Sequence, residues 1–172
     1  MFSPRDQDLE RGWPGWIDGE TVVQLAAQTL QAFFSGGGQA REHAEYPLAD
    51  VVFRAPVLHP PSVRIFDDDG DFVFANPAAV KAAGEEPGVE GAEAVERMAA
   101  IIGADGAIGG FTPLVEWVAL RLRGAKQRDF ALELGPVVTT PDEGSPPHVD
   151  WAQLVAHAAE NTTLFPGDLI VR

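Results

Sequence analysis

Lys126, Asp129, Gly135 and Pro136 stand in the spacing K-x-x-D-x-x-x-x-x-G-P, within KQRDFALELGPVVTTPDE. The stretch supplies a cation and a carboxylate close in sequence, then a backbone break beside an apolar strand. Asp129 would orient Lys126 or cap a turn, and Gly135-Pro136 reads as a structural lead into a strand. Lys126 reads equally as a surface lysine of Arg123-Gly-Ala-Lys-Gln-Arg. Other spacings exclude more than they allow. Asp67, Asp68, Asp69 and Asp71 suggest calcium, but that loop needs glycine sixth and Gly70 is fourth from Asp67. His43-Ala44-Glu45 opens like a zinc-deaminase motif whose P-C-x-x-C partner needs cysteines, and there are none. His59, His148 and His157 are too scattered for a paired-histidine metal helix and read as surface or partly buried. Gly103, Gly106, Gly109 and Gly110 miss G-x-G-x-x-G and precede no phosphate-loop lysine, so they read as a turn. No G-x-S-x-G elbow supports a serine triad.

The elements that must position these groups are short. Trp13, Trp16 and Ile17 precede Asp18-Gly19, a hairpin turn. Residues 20–34 carry Val22, Val23, Leu25, Ala26, Leu30, Phe33 and Phe34 at helical spacing. This predicts one helix ended by Gly36-Gly37-Gly38. Arg41 to Tyr46 reads as a loop. VVFRAPVL from Val51 reads as a strand that Pro56, Pro60 and Pro61 confine to an edge or stop. Val63–Phe66 and Phe72–Ala75 flank the aspartate turn as a hairpin. Residues 81–94 read as a loop and Val95–Gly103 as a strand or short helix. GFTPLVEWVALRLR cannot be helical before Pro113, and FALELGPVVTT is strand-like. The stretch from His148 to Asn161 predicts a helix N-capped by Asp150, and TLFPGDLIV a turn and strand. This irregular alternation predicts an α+β fold with a strand-rich core rather than a parallel doubly wound sheet.

Composition narrows the classes. The 172 residues suit one domain, or one domain with a small N-terminal lobe, and 45% hydrophobic residues suffice for a core. Without cysteine there is no disulfide, thiolate metal site or thiol nucleophile, which fits a reducing compartment. No apolar run approaches the roughly 20 residues of a membrane span, and MFSPRDQDLERGW has no signal-peptide core. The expectation is a soluble cytoplasmic protein with no membrane partner. A net charge of −14 argues against nucleic acid and reads as a solubilising surface. An anionic ligand would need a local basic cluster or a metal.

The Lys126 stretch is similar to the fumarylacetoacetate hydrolase superfamily. So, in chain order, are RGWPGWIDGETVVQLAA, PLADVVFRAPVLHPPSVRIF, FANPAAV, GGFTPLVEWVALRLR and HAAENTTLFPGDLIV. The resemblance implies a mixed β core with few helices, divided into an N-terminal lobe (1–60) and a catalytic-type domain (61–172), and a homodimer. It also implies a small-molecule ligand: cleavage, decarboxylation or tautomerisation of small oxo-acids with Mg²⁺ or Mn²⁺ held by an E-x-E pair and an Asp. Residues i and i+2 of a strand share a face, which suits such a pair to one hard cation. At the three positions this chain has Val95, Arg97 and Glu116. Val95 and Arg97 cannot ligate; Glu116 can, with one methylene more reach. Glu93 and Glu96 are near, but Glu96 would face away from a site served by residues 95 and 97.

By the same resemblance Lys126 sits at the active-site mouth, where it would stabilise developing negative charge, with Asp129 beside it. Arg64 would be a second, bidentate anion clamp. The family's H-x-x-E lid helix is missing, since Arg64 runs through Ile65-Phe66 into the aspartate turn. Its G-[ST]-G-T loop after P-G-D is also missing before Arg172. A truncated lid side would expose apolar surface and favour an oligomer.

Three readings follow. In the first, an enzyme with its metal lost uses Lys126, Arg64 and Glu116, the last as general base, on an oxo-acid or polyketide-like carbonyl compound, cyclisation included. The second is a non-catalytic binding or oligomerisation protein. The third is a metal enzyme in which Glu93 or Glu96 joins Glu116 through a register shift.

Overall fold

The computed structural model describes residues 1–7 and 9–172, and strands dominate it. The first part of the chain contributes β1 (Phe2–Pro4), β2 (Gly15–Asp18), β3 (Thr21–Leu25), α1 (Leu30–Ser35), β4 (Glu42–Pro47) and β5 (Val51–Phe53). β2, β3 and β4 form an antiparallel sheet, while β1 pairs with β5. The turn after Asp18 is the hairpin that the sequence predicts. Two expectations change here. The helix expected over residues 20–34 is a strand followed by a shorter helix. Thr21–Leu25 takes strand partners on both sides, and Thr29 then N-caps α1 by accepting from the Ala32 amide. Adjacent β-branched Val22 and Val23 suit the strand. Arg41 to Tyr46, expected as a loop, falls largely within β4, whose polar side chains hide its role as the third strand of that sheet.

The remainder supplies β6 (Val63–Phe66), β7 (Phe72–Ala75), β8 (Val80–Ala82), β9 (Glu93–Ile102), β10 (Ile108–Val118), β11 (Leu132–Leu134), α2 (Trp151–Ala158) and β12 (Leu169–Val171). Seven of these strands form one mixed sheet in the order β7-β6-β12-β9-β10-β11-β8, with β12 parallel to β6 and β11 parallel to β8. The α+β, strand-rich mixed core matches the expectation. The strand alternative for Val95–Gly103 is the one found, as part of β9, which ends at Ile102, and Asp150 caps α2 by accepting from the Gln153 amide.

Alternation sorts the sheet into two faces. One face carries Val63, Ile65, Ala99, Ile101, Leu114, Leu132, Leu169 and Val171, the main core. The other carries Phe66, Ala100, Ile102, Phe111 and Ile170, over which α2 lays Trp151 and Ala158. Gly135 is needed where it stands, since a Cβ there would lie 2.9 Å from Cδ of Pro113. Among the described residues, no helix is long and apolar enough to cross a membrane.

Candidate functional site

The long β9–β10 ladder sets the site. Its register places Glu116 opposite Val95 and Leu114 opposite Arg97, so Val95, Arg97 and Glu116 share the main-core face. Glu116 is 0% exposed, and a carboxylate buried that far needs ionic partners. It has two. Arg97 donates Nε–H to Oε2 at 2.8 Å. Arg128 grips the same carboxylate as a fork, Nε to Oε1 at 2.6 Å and a terminal nitrogen to Oε2 at 2.8 Å. One carboxylate thus sits between two guanidinium groups, and the cluster carries one net positive charge. Both arginines reach partly to solvent, Arg128 more than Arg97.

Arg128 comes from the loop between β10 and β11. That loop is closed by the Ala119 amide on the Gln127 carbonyl and by Gln127 Nε2 on the carbonyls of Leu120 and Leu122. Asn76 holds its far end through the Asp129 carbonyl at 2.9 Å. Lys126 lies on the outside of the loop, its side chain 76% exposed, and pairs with Asp129 at 2.8 Å. Asp129 thus contacts Lys126, while Lys126 itself faces solvent.

The structure does not bring Arg64 to this cluster. Arg64 alternates with Val63 and Ile65 and so points to the opposite face of the sheet. There it is buried, donates to Ser62 Oγ, lies 3.9 Å from Asp168 Oδ2, and sits 5.8 and 5.2 Å from the ring centres of Phe72 and Phe74. Glu96, the other metal ligand expected beside Glu116, is likewise on the wrong face. It pairs with Val115 in a ladder that runs without a shift from Gly110 to Val118, which leaves no room for the register slip that would have turned it inward.

A divalent ion does not fit the groups present. Of the three positions the family fills with carboxylates, one is apolar, one is a cation, and both oxygens of the third are taken by guanidinium donors. Among the described residues, no group of three His, Cys, Asp or Glu side chains could hold a metal. Sequence reasoning missed Arg128, although it lies between Lys126 and Asp129. The available signal was charge balance: an inward Glu116 beside Arg97 requires partners, and Arg128 is two residues past the lysine.

No protein-family model matches the sequence, and no curated protein matches it. Solved structures do match. Maleylpyruvate hydrolase from Sphingobium sp. SYK-6 aligns over 99% of this chain and 87% of its own, with 20% identity and a TM-score of 0.74. The same enzyme in complex with manganese(II) and pyruvate aligns over 98% and 86%, with 20% identity and a TM-score of 0.73. 2-Keto-3-deoxy-D-arabinonate dehydratase complexed with magnesium and 2,5-dioxopentanoate aligns over 99% and 85%, with 14% identity and a TM-score of 0.71. This chain has the fumarylacetoacetate hydrolase fold, as the ordered motifs implied.

Proposed function

We propose that this protein acts on a small oxo-acid, whose carboxylate docks on the N–H groups of Arg97 and Arg128 not used by Glu116. The guanidinium pair stands in for the divalent cation of the manganese- and magnesium-bound neighbours. The observation that supports this is the fully buried Glu116 bracketed by two arginines where the family places a metal carboxylate. A guanidinium has five donors; Glu116 uses one from Arg97 and two from Arg128. Planar, weakly hydrated cations of this kind suit bidentate carboxylates. In this reading Glu116 positions the arginines rather than taking a proton, because its oxygens are engaged. Lys126 exchanges Asp129 for the incoming anion.

Among the family's reactions, decarboxylation suits these groups best. In a 2-oxo acid with a second carboxylate β to the ketone, the broken C–C bond sends its electron pair to the oxo oxygen and releases CO₂. The resulting enolate needs cations to stabilise it and no base to form, after which solvent returns a proton. Hydrolysis would require a base to activate water. Oxaloacetate is therefore the first substrate to assay, with and without EDTA. CO₂ release above the spontaneous rate, unchanged by EDTA and lost in Arg97→Ala, is the expected result. Release that depends on added Mg²⁺ or Mn²⁺ sinks the metal-free reading. A second reading, binding without turnover, is favoured by the engagement of Glu116; calorimetric binding of pyruvate without CO₂ release selects it. Absence of both rejects the oxo-acid assignment.

We also propose a homodimer through β7. It is an edge strand whose Val73 and Phe74 are exposed, an arrangement that invites pairing. Antiparallel pairing of two copies puts their Asp67–Asp71 turns at opposite ends, away from each other. Light scattering should give a dimer mass that Phe74→Glu halves; a monomeric parent rejects the pairing.

A further inference from the structure

A cavity of about 440 Å³ lies apart from the arginine cluster, between β2 and β3, α1 and the segment after β11. Its volume falls within the ~300–1,000 Å³ of small-molecule sites. The walls are aromatic and aliphatic, with Trp16, Phe33, Phe34 and Phe53 facing Val137 and Val138. Trp16 and Val137 remain exposed, so the cavity opens to solvent. Among the described residues no lysine, arginine or histidine lines it, and the one ionisable side chain there is Glu143. The Thr140 amide and hydroxyl both donate to Oε2 of Glu143 at 2.9 Å, which fixes the carboxylate and leaves Oε1 to accept. Those bonds hold the Glu143 carboxyl below its ordinary value, so it is charged at neutral pH.

We propose that this cavity binds an apolar ammonium compound, with hydrocarbon among the rings and N–H⁺ on Glu143 Oε1. Aromatic faces attract cations, and the carboxylate supplies the counter-charge. The site has the opposite preference to the arginine cluster, and does not depend on the oxo-acid reading.

Three matched probes test it: 4-phenylbutylammonium, 4-phenylbutanol and 4-phenylbutyrate, titrated by calorimetry and tryptophan fluorescence. Glu143 is exposed at the rim, so the ammonium should bind about threefold tighter than the alcohol, with the carboxylate weakest. Glu143→Gln should erase the ammonium's advantage while keeping the alcohol. Val137→Trp should fill the cavity and abolish all binding, leaving the thermal melt and any oxo-acid binding unchanged. Butyrate binding as tight as ammonium overturns the proposal. So does binding that survives Val137→Trp, or no binding of any probe. If Val137→Trp unfolds the protein, Ile17→Trp repeats the block from the opposite wall.

Discussion

The two faces of the seven-stranded sheet each bury a charged group, and they solve its desolvation in opposite ways. On the main-core face the buried group is an anion, Glu116, and its partners are two arginines that still reach solvent. On the helix-covered face the buried group is a cation, Arg64, held by a serine, a distant carboxylate and two aromatic rings. Asp168 on that side is already satisfied by Ser62 Oγ and the Phe165 amide, both at 2.6 Å, so Arg64 is not its main partner. The difference lies in which buried centre keeps donors within reach of solvent. A buried centre with exposed, donor-rich partners can share those donors with a newcomer; one enclosed by rings and turns cannot.

Three variants can break this contrast. Glu116→Ala leaves two guanidinium groups facing each other beside a core, and should lower the unfolding free energy by about 3–5 kcal/mol in chemical denaturation. A loss below ~1 kcal/mol would mean that the cluster is not the buried centre described. Arg64→Met should cost about 1 kcal/mol or less, because Asp168 keeps its other partners and a flexible side chain can fill the gap among the rings. If Arg64→Met equals Glu116→Ala, the two faces are equivalent and the comparison fails. Lys126→Ala should leave stability within ~0.5 kcal/mol, as for an exposed ion pair. It should still weaken oxaloacetate or pyruvate binding several-fold by calorimetry; unchanged affinity would remove Lys126 from the site.

Local signals carried much of the fold. The turn at Asp18-Gly19, the hairpin around Asp67–Asp71 and the Asp150 cap each depend on residues adjacent in sequence, and each is found where the sequence puts it. The residues around Val22 and Val23 misled because Val22, Val23, Leu25 and Ala26 continue smoothly into the helical spacing of α1. Only pairing with β2 and β4, which is tertiary, chooses the strand. β4 gave only a faint apolar signal, Ala44 and Tyr46 alternating among polar residues. In the site, the facing of Glu96 was legible from the two-residue period, and so was the sharing of one face by residues 95 and 97. Arg64 was not placed, since its face depends on the parallel pairing of β6 with β12. Arg128 was hidden because its partner is reached through a loop rather than along a strand.

β12 lies in the middle of the large sheet, between β6 and β9, although Leu169 and Val63 are far apart in the chain. Closing so long a loop has an entropic barrier that neighbouring hairpins avoid. The β6–β7 and β9–β10 hairpins are local, and the second already contains both Arg97 and Glu116. The order of assembly that this implies brings Arg97 and Glu116 together while both are still in water, before β11 settles beside Glu116 and the final strand completes the sheet along Ala99–Ile101.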